Sequence, residues 1–298
     1  MLKKNNSQKS YLFAIFAILF WSTVASAFKI SLSFINVYQL LAIASFSSLF
    51  ILLIILAVNQ KINLLLKQTK KDWSNSLVLG FINPFLYYII LFNAYNLLPA
   101  QEAMILNYSW PIVLTLFTTI FFKNKLSLQV IFALLISFFG IIIIATKGNL
   151  TELKFSNLTG ILLALGSAFV WSIFWLINMK DKREPLIKLT SSFIFGSLFS
   201  FLIFIILPNK INFNFYGILS AIYVGFFEMG VTFVFWLKAI SSSKNTAKIN
   251  NLIYLTPFLS LLFISFILKE KIFLSSLFGL FFILLGIFIN YIYNENKK

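Results

Sequence analysis

The sequence predicts an all-α membrane protein of ten transmembrane helices, built as an inverted repeat of five plus five. Three observations carry that prediction. Of 298 residues, 60% are hydrophobic and only 11% are charged, and the mean hydropathy is +0.94, so the chain has too little polar surface to clothe a soluble domain. Backbone in hydrocarbon must satisfy its own hydrogen bonds, which leaves helices or a closed barrel. The apolar runs last about 20 residues instead of alternating over about 10, which selects helices. Finally, residues 106–143 and 252–289 align without a gap at an offset of 146. Tyr108 then falls on Tyr254, Pro111 on Pro257, Lys123 and Lys125 on Lys269 and Lys271, and Gly140 on Gly286.

The spans follow in order. The first half gives 11–29, 35–57, 74–96, 100–122 and 127–146; the second gives 158–179, 185–207, 215–239, 246–268 and 272–293. At about 1.5 Å per residue, each is long enough for a hydrocarbon core of roughly 30 Å. The first has a lysine-rich front, yet it contains Trp21 and lacks a small-residue cleavage site, so it reads as a span and not as a signal peptide. The stretch 61–72 is polar and reads as a surface segment. The boundary between copies is the short polar segment 147–157, giving repeats over 1–147 and 157–298.

Charge sets the orientation. With the N-terminus in the cytoplasm, 18 of the 24 basic residues fall in inside segments and 6 outside, which matches the positive-inside rule with both termini inside. Five spans per copy is an odd number, so the second copy enters the membrane inverted. The Lys123/Lys125 turn is then cytoplasmic and its counterpart Lys269/Lys271 is outside. Two inverted halves can hold a site between them and rock around it, which points to transport.

Several classes are excluded or disfavoured. The net charge of +16 does not indicate nucleic acid, because the lysines are scattered in turns and not gathered on one face. Lysine outnumbers arginine 23 to 1, as a biased genome composition would give. Absence of cysteine and histidine removes disulfides, thiolate metal sites and the commonest metal ligand. No metal and no cofactor is expected. No phosphate-binding Gly-rich string is present, so transport would be driven by a gradient and not by nucleotide hydrolysis.

The chain resembles a known family at specific strings: Phe20-Trp21-Ser22-Thr23 in the first span, Asn107-Tyr108-Ser109-Trp110-Pro111 in the fourth and Tyr254-Leu255-Thr256-Pro257 in the ninth. These are similar to the drug/metabolite transporter superfamily, EamA-type, and the Asn-Tyr-x-Trp-Pro string resembles its aromatic amino acid exporter branch. The resemblance implies a basket of ten helices around a central cavity. It also implies secondary export of amino acids or related metabolites across a bacterial inner membrane. Import or exchange of a nucleotide-like or sulfonium metabolite is the alternative within the family. The partners expected are a small-molecule substrate and the lipid bilayer, with the oligomeric state left open.

Polar groups in hydrocarbon are expensive and identify the candidate site. Glu228, in the middle of the eighth span, is the carboxylate placed deepest; it reads as a substrate-amine contact or proton carrier, the alternative being an interhelical hydrogen bond. Pro111 and Pro257 each remove a backbone hydrogen bond and occupy matched positions, which argues for kinks that shape a cavity. Beside them, Asn107, Tyr108, Trp110 and Tyr254 offer donors and aromatic faces for a small zwitterion. Trp21 and Trp171 are matched mid-span residues that line a cavity or pack a core, and Asn250 lies one turn before Tyr254. Glu102 and Lys248 occupy equivalent positions of the repeat with opposite charge; gating competes there with simple helix-end roles. Ala133/Gly140 and Gly279/Gly286 have the spacing of helix-packing residues. A membrane-embedded lipid-modifying enzyme is the rival from another class, and it would need an acid–base or metal cluster that the sequence does not display.

Overall fold

The computed structural model describes residues 2–121, 128–150, 157–207, 211–243, 249 and 251–295. Every regular element among them is helical. The helices are α1 Leu2–Leu32, α2 Val37–Val58 and α3 Ile62–Leu66, then α4 Lys70–Leu97, α5 Ala100–Phe121 and α6 Leu128–Ala145. They continue with α7 Leu158–Lys180, α8 Pro185–Ile206, α9 Phe215–Ser241 and α10 Leu252–Leu268, and end with α11 Leu274–Glu295. Eight of these, α1, α2 and α4 to α9, are long and apolar enough to cross a membrane, while α10 and the apolar part of α11 are shorter.

Local chemistry places the helix starts. Asn36, Asn157 and Asn214 accept from the backbone N–H groups of Gln39, Gly160 and Gly217, at 2.9, 2.9 and 3.1 Å, each covering an orphan donor of the first turn. Thr69 and Asp72 form a capping box at the start of α4. Glu184 caps Ile187 N–H at 3.0 Å with Pro185 in the first turn of α8.

Two helices carry a π-helical break inside their apolar runs. In α4 the segment Phe81–Leu86 is a π-helical turn in which Asn83 is extended (φ −146°, ψ 122°), as expected of a residue forced out of the helical region by Pro84 behind it. In α9 the segment Gly225–Gly230 is also π-helical, and Gly230 ends it at φ −112°, ψ −95°. Such turns shift the side-chain register and leave backbone groups off the regular ladder.

The chain packs as two compact units. The first comprises Met1–Ile89 and Lys182–Leu268, the second Ile90–Asp181 and Lys269–Lys298. In the first, α1 packs on α9 and α10, α2 on α8 and α9, and the first part of α4 on α8. Buried hydroxyls tie the helices together: Ser10 donates to Ala239 O at 2.6 Å, Ser31 to Gly217 O at 3.0 Å, and Ser76 pairs with Ser191 at 2.7 Å. Small polar residues at close helix contacts are what association in lipid favours. In the second unit, α6 runs tightly against α11, where a Cβ on Gly140 would stand 2.6 Å from Gly279 O. Ser137 donates to Ile283 O at 3.2 Å at the same contact, so the small residues expected to pack these helices do so. Large apolar side chains such as Phe50, Phe132 and Phe266 are exposed, as lipid-facing residues would be.

The single arginine holds a junction of the first unit. One Arg183 terminal nitrogen donates to Gln68 Oε1, to Asp72 O at 2.9 Å and to Ser76 Oγ at 2.7 Å. Its Nε lies 3.9 Å from Asp72 Oδ1. The guanidinium holds five donors in a rigid fork spread over three nitrogens, so it can face Gln68 and Ser76 through one and Asp72 through Nε, which the three donors of a single ammonium nitrogen would not reproduce. Arg183→Lys should therefore destabilise the protein by about 1–3 kcal/mol, read as a lowered Tm in detergent; an unchanged Tm would remove the fork from the account of this junction.

Candidate functional site

The first unit gathers its polar interior around the break in α9. Glu228 Oε1 accepts a hydrogen bond from Tyr88 Oη at 3.0 Å, and Tyr88 is fully buried. Glu228 Oε2 is inaccessible and has no hydrogen-bond partner among the described residues. The indole Nε1 of Trp21 reaches the backbone oxygen of Glu228 at 3.4 Å, while its ring lies edge-on to Phe233 at 5.6 Å and close to Trp236 at 5.5 Å. Phe227 is flanked by Phe20 at 4.6 Å and Tyr223 at 4.7 Å, and Tyr223 Oη meets Thr23 Oγ1 at 2.7 Å. A carboxylate that accepts from Tyr88 through one oxygen, its other oxygen without a partner among the described residues, is chemically suited to an ammonium group.

Close approach makes this arrangement possible. A Cβ on Gly225 would overlap the backbone oxygen of Ala44 and come within 2.6 Å of Ser47 Cβ, and one on Gly230 would stand 2.7 Å from Ile51 Cγ2. The two glycines let α2 lie directly on the broken segment, and Ser48 Oγ of α2, fully buried, is also without a hydrogen-bond partner among the described residues.

Tyr88 and Asn83 were not foreseen from the sequence. Asn83 is 2% exposed, and its Oδ1 has no partner among the described residues. A signal for it exists: Gly80-Phe81-Ile82-Asn83 and Gly225-Phe226-Phe227-Glu228 match at an offset of 145, one residue out of phase with the downstream repeat. In both places the string coincides with the π-helical break.

The remaining predicted residues divide between the units. Tyr254 stands in the 3₁₀ turn Leu252–Leu255 and Pro257 just after it, in the first turn of the helical segment Thr256–Leu268; both belong to the first unit. In the second unit, α5 is interrupted at Tyr108 and Ser109, and Pro111 opens the segment Trp110–Phe121. Each proline therefore sits at the start of a new helical segment, where its missing N–H costs least. Asn107 Nδ2 donates to Ser167 Oγ at 2.8 Å, and Ser172 Oγ donates to Trp110 O at 3.0 Å. Trp171 is stacked on Phe174 at 5.4 Å. Glu102 is 1% exposed and lies 3.7 Å from Lys147 Nζ. Lys248 and Asn250 lie outside the described residues, as do Lys123 and Lys125. Among the described residues no cluster of three or more metal-ligating side chains occurs.

Comparison with known proteins agrees with this architecture. The EamA-like transporter family matches the chain twice, over residues 8–146 and 158–292. An uncharacterized transporter of Clostridium kluyveri is 24% identical over 98% of this chain and 95% of its own length. An uncharacterized transporter of Archaeoglobus fulgidus is 22% identical, covering 94% of this chain and 98% of that protein. The crystal structure of a further protein, 19% identical, superposes with a TM-score of 0.68 over 98% of this chain and 99% of that one, a likeness of fold.

Proposed function

The chain belongs to the EamA-like transporter family, and from that premise we propose that it moves a small amine-bearing metabolite, an amino acid first among them, outward across a bacterial inner membrane. In this reading ten spans form an inverted five-plus-five repeat, and α10 and α11 complete the set begun by the eight longer helices. Transport is secondary and proceeds by alternating access around the two broken helices. Glu228 receives the amine of the substrate. Trp21 and Tyr254 of the first unit, and Asn107, Tyr108, Trp110 and Trp171 of the second, are the further candidates for substrate contact, with Glu102 the candidate gating charge. The Asn107–Pro111 string, which resembles the aromatic amino acid exporter branch, supports an amino acid as cargo.

The observation that carries the proposal is the buried, half-satisfied carboxylate of Glu228 at a π-helical break, since ionisable groups are kept in hydrocarbon for function. The test is a flux panel in liposomes holding the full-length protein. Radiolabelled amino acids, amines and a nucleotide-like control are offered with and without an imposed proton gradient. Gradient-dependent movement of at least one amine-bearing solute is expected, above protein-free liposomes by at least about tenfold. No movement of any amine-bearing solute under either condition would overturn the proposal.

A further inference from the structure

The two breaks are related to each other, and their orphaned atoms are of one chemical kind. Under the 145-residue offset Gly80 falls on Gly225 and Asn83 on Glu228. Gly80 packs its backbone on α8, where a Cβ would reach Gly196 N at 3.0 Å, and Gly225 packs likewise on α2. At each break the residue three places after the glycine holds a buried oxygen with no hydrogen-bond partner among the described residues: Asn83 Oδ1 and Glu228 Oε2. Tyr88, five residues beyond Asn83 on α4, donates to Glu228 Oε1, so one aromatic side chain links the two segments. Ser48 Oγ, beside Gly230, adds another oxygen able to accept. Leaving an acceptor buried and unpaired is costly, and the sequence does so at matched positions of both copies.

We infer that Asn83 is a substrate-binding residue paired with Glu228, and that together they read a cationic amine bearing a second hydrogen-bond donor. Glu228 takes the ammonium and Asn83 Oδ1 takes the second donor. No Lys or Arg forms an ion pair with Glu228 among the described residues, and Glu228 Oε2 and Asn83 Oδ1, unpaired among them, are acceptors that favour a donor over a second carboxylate. Phe227, next to Glu228 in sequence, is packed between Phe20 and Tyr223, and to this aromatic cluster we assign an aromatic ring on the same molecule. This rests on the transport of an amine-bearing solute and replaces the amino acid as its first substrate: recognition runs through the amine end, and a decarboxylated amine is carried better than its parent amino acid.

The test uses three compounds of one skeleton with the full-length protein in liposomes. Tyramine has the amine and a phenol donor, L-tyrosine adds a carboxylate, and phenethylamine lacks the phenol. The wild-type protein should move tyramine at least tenfold faster than L-tyrosine and at least fivefold faster than phenethylamine. Asn83→Leu should bring the tyramine-to-phenethylamine ratio close to one, and Asn83→Ala carries the same test should the leucine variant not fold. That ratio is independent of how much protein is inserted, so a purely structural role for Asn83 would leave it unchanged, which overturns the inference. L-Tyrosine moving as fast as tyramine would overturn it too, while leaving transport itself standing. Absence of flux for every amine-bearing solute in the wider panel would take down both.

Discussion

Glu228→Gln should abolish transport, lowering flux by about 100-fold or more while the protein stays folded. The amide preserves volume and can still accept from Tyr88, which donates to Oε1 at 3.0 Å. What it changes is the other oxygen, which is buried without a partner among the described residues; an NH₂ in that place presents donors to a ligand that is itself a donor, and the charge is gone. A loss of that size corresponds to about 2.7 kcal/mol of interaction with the transported species. An interhelical hydrogen bond in a membrane averages about 0.6 kcal/mol, so a structural role would cost less than threefold. The measurement is initial flux in liposomes beside the Tm of the same preparation. Near-normal flux at unchanged Tm would discard Glu228 as a functional ionisable group and shift attention to Asn107 and its kink.

Gly225→Val should have an equally large effect by another route. Its Cβ would run into the backbone oxygen of Ala44 and sit 2.6 Å from Ser47 Cβ, and backbone cannot step aside as a side-chain tip can. Separating α2 from α9 would cost about 3 kcal/mol or more, at the upper end of overpacking penalties. The expected result is loss of a monodisperse peak and a fall in Tm, with transport lost as a consequence. Gly166 is the internal control: a Cβ there would meet only Ile90 Cγ2, at 3.8 Å. Gly166→Ala should leave packing intact and stabilise α7 by up to about 1 kcal/mol through helix propensity. Equal outcomes for the two substitutions would remove close backbone approach as the reason for Gly225.

Much of the helical layout was legible because its punctuation is chemical. The expected span 158–179 became Leu158–Lys180, bounded by the Asn157 cap, and 100–122 became Ala100–Phe121 after Pro99. The first helix begins earlier than the apolar run does, at Leu2, since a polar lysine-bearing turn can continue a helix beyond hydrocarbon. In the ninth run the described helix includes the 3₁₀ turn Leu252–Leu255 ahead of Thr256–Leu268, and the expected start at 246 lies outside the described residues. Glu228 stood out as a carboxylate within an apolar run, and its cost alone identified it. Tyr88 did not, because a tyrosine in such a run is unremarkable until folding brings it to a residue 140 positions away. Asn83 was missed because the repeat was read in a single register, and one residue of slippage between helices concealed the match with Glu228.

The interleaving of the two compact units bears on how such a chain can be divided. Neither of the stretches matched by the family, 8–146 and 158–292, owns a complete unit; each unit takes segments from both. Cut in the segment between them, the first fragment would keep α1 and α2 but lose the α9 and α10 surfaces on which α1 rests, stranding the hydroxyls of Ser10 and Ser31 whose acceptors lie on the other fragment. The halves are thus obligate complements and not autonomous modules. Two co-expressed fragments are expected to rebuild the fold by pairing these helices across the cut, whereas a truncation that ends at the midpoint is expected to expose the faces of α1 and α2 that pack on α8, α9 and α10.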